Sequence, residues 1–110
     1  MNIEKEKDLA SSRARIMKAL AHPTRIFMVE LLSRKEMSVG ELTAAVGADV
    51  STVSKHLSLL KQEKILSHTR DGKTVNYSLI CPCILEFIHC LDEVISPDAG
   101  KGSSCSLVRK

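Results

Sequence analysis

Three cysteines near the end of the chain offer the clearest side-chain chemistry. Cys81 and Cys83 flank Pro82, and Cys90 follows about two helical turns later. In a reducing compartment disulfides are rare, so cysteines in such a pattern are more often metal ligands or redox sensors than structural bridges. The chemistry they offer is the binding of a soft ion or reversible oxidation.

The spacing limits which thiols can act together. On one straight helix, Cys83 and Cys90 would be roughly 10 Å apart along the axis. That exceeds the roughly 4.4–6.8 Å Cα separation of a disulfide, and it prevents both thiolates from reaching one ion through bonds of about 2.3 Å. Cys81 and Cys83 can converge, because a residue before proline favours extended geometry and Cys83 would lie in the first helical turn. The helix N-terminus is expected to favour the thiolate there.

A site of three thiolates needs a third ligand from elsewhere. The candidates are Cys90 of the partner subunit, if the final helices pair antiparallel, and Cys105, if the C-terminal segment folds back. Three thiolates suit As(III) or Sb(III), with Cd(II) and Pb(II) as alternatives. We therefore predict Cys81, Cys83 and Cys90 as metal ligands, with Cys105 as a further candidate. The alternative is that Cys90 is an ordinary core residue and Cys105 has no role.

A second group of functional side chains lies in the segment Ser51-Thr52-Val53-Ser54-Lys55-His56-Leu57. Hydroxyls and lysine can bond phosphates and base edges, and small side chains let the backbone approach DNA. The predicted DNA contacts are Ser51, Thr52, Ser54, Lys55 and His56, together with Arg70 and Lys73 beside a predicted turn. The alternative is that Ser51 to Lys55 form a solvated helix face and that Arg70 and Lys73 only make the turn soluble. The His56 ring would then pack against the core of its own domain.

The elements that would position these groups follow the order of a helix-turn-helix and a hairpin. Residues 4–20 have an amphipathic helical pattern, and Pro23 suits the first turn of a second helix that is apolar almost all round. Ser38 begins a third helix with a capping box, and Gly47 ends that helix. Asp49 can cap a fourth helix, which carries the polar segment and has an apolar arc of its own. That arc consists of Val50, Val53, Leu57 and Leu60.

Beyond the fourth helix the hydrophobic pattern changes. From Leu66 to Leu79 the period is two, and Asp71-Gly72 in the middle predicts a β-hairpin. Residues 82–95 predict a final helix whose apolar surface is wider than one stripe, which we interpret as a dimer face. Residues 96–110 are predicted to be a flexible tail. The predicted fold is mainly α with a small β-hairpin, a winged helix-turn-helix whose residues 1–95 bind DNA and dimerise.

Composition excludes several classes of protein. The chain has 110 residues, a net charge of +3 and 3% aromatic residues, which suits one small domain with an aliphatic core and is compatible with nucleic-acid binding. No apolar run approaches the roughly 20 residues of a membrane span, and Met1–Asp8 lacks the apolar core of a signal peptide, so we expect a cytoplasmic protein. Cys-Pro-Cys without a βαβ pattern argues against a thiol oxidoreductase, and we expect no enzymatic activity.

Two motifs resemble those of the arsenic-repressor (ArsR/SmtB) family of bacterial metalloregulators. They are Ala19–Arg25, with the sequence ALAHPTR, and Ser51–Leu60, with the sequence STVSKHLSLL. The later Arg70–Lys73 segment and Tyr77 resemble the wing of that family, so the likeness spans about residues 10 to 95. It implies a homodimer joined through its first and last helices, which binds double-stranded operator DNA and releases it when an inducer binds.

The inducer sites that the resemblance implies are missing. The family's Cys-Val-Cys at the start of the third helix corresponds here to Ser38-Val39-Gly40, which has no thiol. For the zinc site of the last helix the chain offers only His89, Asp92 and Glu93, an incomplete set. Together with the cysteines, the resemblance predicts a metalloid-responsive repressor that dissociates when As(III) binds at the last helix. The alternatives are a repressor of the same fold that responds to oxidants or sulfur species through these thiols, and a DNA-binding module without an inducer.

Overall fold

The computed structural model describes residues 2–96. Within this range the chain forms six helices and three short strands, which confirms the predicted mainly α fold with a small β-hairpin. In chain order they are α1 (Ile3–Leu20), α2 (Pro23–Leu32), β1 (Met37–Ser38), α3 (Val39–Val46), α4 (Val50–Gln62), β2 (Leu66–Asp71), β3 (Thr74–Leu79), α5 (Cys83–Cys90) and α6 (Asp92–Ile95). The chain divides into two compact units, one up to Ile80 and one from Cys81 onward. The predicted tail lies outside the described residues except for Ser96, so its flexibility stays a prediction.

The helices of the first unit begin where the sequence supplies caps. The Ser38 hydroxyl accepts a hydrogen bond from the backbone N–H of Glu41 at 3.1 Å, and the Glu41 carboxylate accepts one from the N–H of Ser38 at 2.9 Å. This reciprocal pair is the predicted capping box of α3. Asp49 Oδ1 accepts from the N–H of Thr52 at 2.8 Å and caps α4 as predicted. Both helix starts are therefore fixed by local side chains.

Gly47 sets the connection between α3 and α4. Its φ is +80°, in the left-handed region, and its N–H donates to the carbonyl of Thr43 at 2.9 Å. A glycine adopts this conformation without the steric cost that a Cβ would add. The connection can thus be short, and α4 follows α3 in the manner of a helix-turn-helix.

The core of the first unit is aliphatic. Its buried side chains are Ala19, Leu20, Met28, Val29, Leu32, Met37, Leu42, Val53, Leu57, Leu60, Ile65 and Leu66. Two predictions about the core are wrong in part. Val50 is 56% exposed, because it lies in the first turn of α4 at the edge of the buried arc. Phe27 is 45% exposed, so residues 2–96 leave one side of α2 uncovered, although a helix that is apolar almost all round is expected to be buried.

The three strands form one antiparallel sheet in the order β1-β3-β2. Asp71 pairs with Thr74, so the two turn residues of the hairpin are Gly72 and Lys73, one position later than predicted. Gly72 has a φ of +66°, which a glycine accepts at this position. The short strand β1 pairs with β3 and was not predicted, because two residues show no periodicity. We call the β2–β3 hairpin the wing.

The second unit begins with α5 and does not contain the single final helix predicted over residues 82–95. α5 ends at Cys90, Leu91 forms a turn, and α6 begins at Asp92. The Leu91 N–H donates to the carbonyl of Ile88 at 3.1 Å, a tighter bond than the α-helical pattern, so the helix is interrupted there. The apolar period runs through this point without a glycine or proline to signal it. Among residues 2–96, the helices are too short or too polar to cross a lipid bilayer.

Candidate nucleic-acid interface and cysteine pair

The predicted DNA contacts on α4 lie on and beside its solvent-facing side. Ser51, Thr52 and Lys55 are exposed, on the face opposite the buried Val53 and Leu57. Ser54 and His56 are half-buried on the two flanks between that face and the core. The helix therefore presents small hydroxyl side chains and one cation to solvent, which is a suitable surface for approaching phosphates and base edges.

Two of these hydroxyl residues are engaged with the cap of their own helix. The Ser51 hydroxyl donates to Asp49 Oδ1 at 3.2 Å, beside the bond from the Thr52 backbone. Hydrogen bonds from the Thr52 side chain, from its N–H and from Ser51, in that order, hold the pKa of the Asp49 carboxyl below its usual range, and the charge of Lys55 adds to the effect. Ser51 and Thr52 would have to leave this partner in order to donate to a phosphate, but their hydroxyl oxygens can still accept from a base edge.

The His56 ring contacts the start of α2. Its Nδ1 lies 3.2 Å from Nη1 of Arg25, and its ring centroid lies 4.6 Å from that of His22. Burial is the largest influence on the pKa of His56 and lowers it, and the charges of His22 and Arg25 lower it further. This placement corresponds to the packed alternative that we considered for His56, and its contact with DNA stays a prediction.

Arg25 and His22 were not identified as site residues from the sequence. Arg25 Nε donates to the carbonyl oxygen of Ala19 at 2.6 Å, and His22 Nδ1 accepts from the backbone N–H of Thr24 at 3.0 Å and caps α2. A signal for His22 exists, since Pro23 in the first turn marks the preceding residue as the N-cap. No local signal reveals the contact of Arg25 with α4, because it joins residues far apart in the sequence.

The wing places its two predicted DNA contacts in solvent. Arg70 lies on β2 opposite Val75, and Lys73 lies in the turn itself. Lys73 also borders an open cleft of about 310 Å³, whose other side is formed by the start of α3 at Ser38, Val39 and Gly40. The cation of the turn thus lies beside the helix-turn-helix as well as at the tip of the wing.

The Cys81 and Cys83 thiols converge, as their spacing predicts. Both side chains are exposed, and Cys81 is near enough to act on the Cys83 thiol, while Cys90 at the far end of α5 is half-buried. The hydrogen bond with Cys81 is the largest influence on the pKa of Cys83 and raises it, and the charge of an ionised Cys81 raises it further. This influence opposes the thiolate that the helix N-terminus is expected to favour at Cys83, and the protonation state of the pair stays a prediction.

The described part of the chain does not bring a complete metal site together. Over residues 2–96, no three His, Cys, Asp or Glu side chains are grouped so that they could hold an ion. Cys83 and Cys90 lie at opposite ends of α5, as their spacing requires. The two converging thiols fit two bonds of a thiophilic ion. The third ligand stays a prediction, either Cys90 of the partner subunit or Cys105, which lies outside the described residues.

Comparison with known proteins places this geometry among bacterial regulators. The family model of arsR-family bacterial regulatory proteins matches residues 22–67. The chain is 34% identical to the nodulation protein NolR of Rhizobium meliloti, over 97% of this chain and 87% of that protein. The crystal structure of the transcriptional repressor BigR from Xylella fastidiosa is similar with a TM-score of 0.71 and 30% identity, over 87% of this chain and 97% of that one. The structure of reduced HlyU from Vibrio cholerae is similar with a TM-score of 0.73 and 25% identity, over 81% of this chain and 97% of that one.

Proposed function

Because the chain belongs to the arsR family of bacterial regulatory proteins, we propose that it is a transcriptional repressor that binds double-stranded operator DNA as a homodimer. The observation that carries this proposal is the exposed face of α4 with Ser51, Thr52 and Lys55, presented behind a helix-turn-helix connection. The similarity to a protein described as a transcriptional repressor supports it. The family consists of regulators, which agrees with the sequence interpretation that the chain is not an enzyme.

In this proposal α4 enters the major groove with its N-terminal turns toward the bases. Ser51, Thr52 and Ser54 bond phosphates or base edges, and Lys55 neutralises a phosphate. Arg70 and Lys73 of the wing reach the adjacent minor groove or its phosphates. Each contact to a phosphate would release about one bound counterion from the DNA. Operator affinity would therefore fall as the salt concentration rises.

The homodimer is supported by apolar side chains that are exposed within residues 2–96. On α1 they include Leu9 and Met17, which are 46% and 52% exposed. In the second unit, Val94 and Ile95 are 81% and 78% exposed. Neighbouring aliphatic side chains with such high exposure are typical of an interaction surface. Pairing of first and last helices between two protomers would cover both sets. To read successive major grooves, the two recognition helices of that dimer would have to lie about 34–36 Å apart, one turn of DNA.

As(III) or Sb(III) is the inducer that the cysteines suit best, with Cd(II) and Pb(II) as alternatives. Cys81 and Cys83 supply two thiolates, and Cys90 of the partner subunit or Cys105 supplies the third. With arsenite, three thiols and As(OH)₃ give a tris-thiolate and three waters, so no oxidant is consumed. A coupling of about 1–3 kcal/mol between ion and operator would lower DNA affinity about 5–150-fold.

The test is a titration of the reduced protein with arsenite under argon, with free thiols and operator binding measured at each step. We expect three thiols lost per arsenic, release of the operator in parallel, and loss of both responses in Cys81→Ser. Comparing Cys90→Ser with Cys105→Ser identifies the third ligand, since only one of them should reduce the stoichiometry to two. Unchanged thiol counts at micromolar arsenite would exclude arsenic and direct the same titration to cadmium and lead.

A second candidate is a repressor that responds to oxidants or sulfur species. The contact between the Cys81 and Cys83 thiols favours it, because two neighbouring thiols can be oxidised by a peroxide to a disulfide with release of two waters. The similarity to HlyU, whose structure was determined in a reduced form, supports the same idea. Release of the operator by peroxide or polysulfide in metal-free buffer, reversed by a dithiol reductant, would favour this function over ion sensing.

A further inference from the structure

Arg25 lies at a junction of three helices. It belongs to the first turn of α2, and its Nε donates to the carbonyl oxygen of Ala19 in the last turn of α1 at 2.6 Å. Its Nη1 lies 3.2 Å from Nδ1 of His56, near the middle of α4. One half-buried guanidinium thus joins the end of α1, the start of α2 and the recognition helix.

We propose that Arg25 is a positioning residue for DNA recognition, which holds α4 at its angle by donating to a neutral His56. This inference rests on the proposed DNA-binding function and deepens it. It assigns His56 to the support of α4 rather than to direct contact with DNA. The exposed hydroxyls and Lys55 of α4 then depend on a contact made on the inner flank of the same helix.

The chemistry of the guanidinium suits this role. Its donors have a fixed planar arrangement, so one side chain can bond two acceptors in different helices at set directions. A lysine at position 25 has a single ammonium on a flexible stem and cannot reproduce both bonds in that geometry. Arg25 is therefore expected to be more than a source of positive charge.

His56 can accept from Arg25 only while its Nδ1 is unprotonated. The charged and titratable groups that act on it are His22 and Arg25, at the start of α2, and both oppose a further positive charge. Together with burial they lower the pKa of His56, so the ring is neutral at pH 7. Protonation would remove the acceptor and place a second cation beside the guanidinium, and the contact would break.

The sign of the pH dependence separates the two roles of His56. If the ring supports α4 through Arg25, operator affinity falls as the pH is lowered through the pKa of His56. If the ring contacts DNA directly, protonation adds a charge next to phosphates, and operator affinity rises as the pH is lowered. The two roles thus predict opposite slopes in the same measurement.

The experiment measures operator affinity by fluorescence anisotropy at pH 7.5 and 5.5 and constant ionic strength. For the wild type we expect operator affinity to fall at the lower pH by at most about tenfold, because the pKa of His56 lies below its ordinary value of 6.5. Arg25→Lys should bind about tenfold more weakly at pH 7.5, whereas Arg34→Lys, the same change at an exposed arginine beyond α2, should bind normally. His56→Gln keeps an acceptor that does not titrate, so the fall in operator affinity between the two pH values should be lost.

Wild-type affinity that rises at pH 5.5, or a His56→Gln profile that still falls, would overturn the positioning role. Thermal melts of each variant show whether a loss of affinity comes from misfolding or from the loss of the positioning contact. A measurement without DNA keeps the inference distinct from the proposed function. In the free protein, the pKa of His56 is followed by NMR. It should rise in Arg25→Gln, because that substitution removes the cation that faces the ring. An unchanged pKa would refute the contact even if the protein binds no operator. An operator that fails to bind at both pH values, with the expected NMR shift, would refute the proposed function alone.

Discussion

At the scale of single residues, neighbours decide what each functional group does. Asp49, His56 and Cys83 each have a pKa displaced from the ordinary value of the group, through hydroxyl and backbone donors, through burial and through a second sulfur, respectively. The influences on Asp49 and Cys83 come mainly from residues two or three positions away, and both the cap and the pairing of Cys81 with Cys83 were predicted from spacing. The influence on His56 depends on burial and on His22 and Arg25, which are distant in sequence.

The cap of α4 gives a prediction for acid stability. Donors to Asp49 lower its folded-state pKa below the ordinary value of 3.8, so its contribution to stability is present above that value and is lost as the pH falls through the lowered pKa. An asparagine at this position would cap the helix without titrating. We expect the melting temperature of Asp49→Asn to approach or exceed that of the wild type below pH 3, although it is lower at pH 6.

Melting curves between pH 2 and pH 7 provide the measurement. Asp8→Asn, at an exposed carboxylate of α1, controls for the loss of one negative charge. A constant difference between Asp49→Asn and the wild type across this range would show that the ionised carboxylate contributes nothing to the cap.

Contacts between neighbours in the sequence could be predicted, whereas contacts between residues far apart in the sequence could not. Ser38 and Asp49 were predicted as caps because a cap and its partner lie within three positions of each other. Arg25 and His56 are 31 positions apart, and only the folded chain brings them to 3.2 Å. The sequence therefore identified the exposed polar groups of α4 but not the contact of Arg25 with the same helix.

At the scale of elements, most boundaries were predicted because each has a local chemical cause. Pro23 starts α2, Gly47 ends α3, and a glycine opens the turn of the wing. The errors occur where no such cause exists. β1 has two residues and is defined by its partner strand, and the interruption at Leu91 has neither a glycine nor a proline.

The connection between α3 and α4 can be tested through its glycine. A Cβ at position 47 has open space around it, so the φ of +80° is the only obstacle to a side chain. We expect Gly47→Ala to reduce the free energy of unfolding by about 1 kcal/mol. Gly47→Asn should reduce it less, because asparagine tolerates the left-handed region better than alanine does.

Chemical denaturation of both variants measures this difference. Gly40→Ala is the matched control, since Gly40 lies within α3 with an ordinary φ and its added Cβ would meet only the Ser38 hydroxyl at 3.8 Å. Alanine favours a helix more than glycine, so this control should be neutral or stabilising. Equal losses in Gly47→Ala and Gly47→Asn would contradict a role for the left-handed conformation.

At the scale of the whole molecule, the exposed apolar side chains of the second unit bear on the oligomeric state of the protein. Val94 is 81% exposed on α6, and the proposed dimer would bury it. We expect Val94→Glu to shift the protein from dimer to monomer, because a carboxylate is costly to bury without a partner. Operator affinity should fall with it, since two linked reading helices bind more tightly than one.

Sedimentation equilibrium at several concentrations tests the dimer independently of DNA. Lys35→Glu, in the exposed segment after α2, introduces a similar carboxylate elsewhere and should leave the oligomeric state unchanged. A wild-type protein that is monomeric at tens of micromolar would remove the dimer from the proposed function.

Ser38 belongs to two elements at once, and this has a consequence for the energetics of DNA binding. Its backbone is paired with Asn76 of the wing, its side chain caps α3, and no residue separates β1 from α3. The wing and the helix-turn-helix are thus joined without a flexible linker. Lys55 and Lys73 have no partner in common among the described contacts, so the binding free energies lost by Lys73→Ala and Lys55→Ala should be additive when the two are combined. An inducer that displaces either part would therefore weaken both sets of contacts.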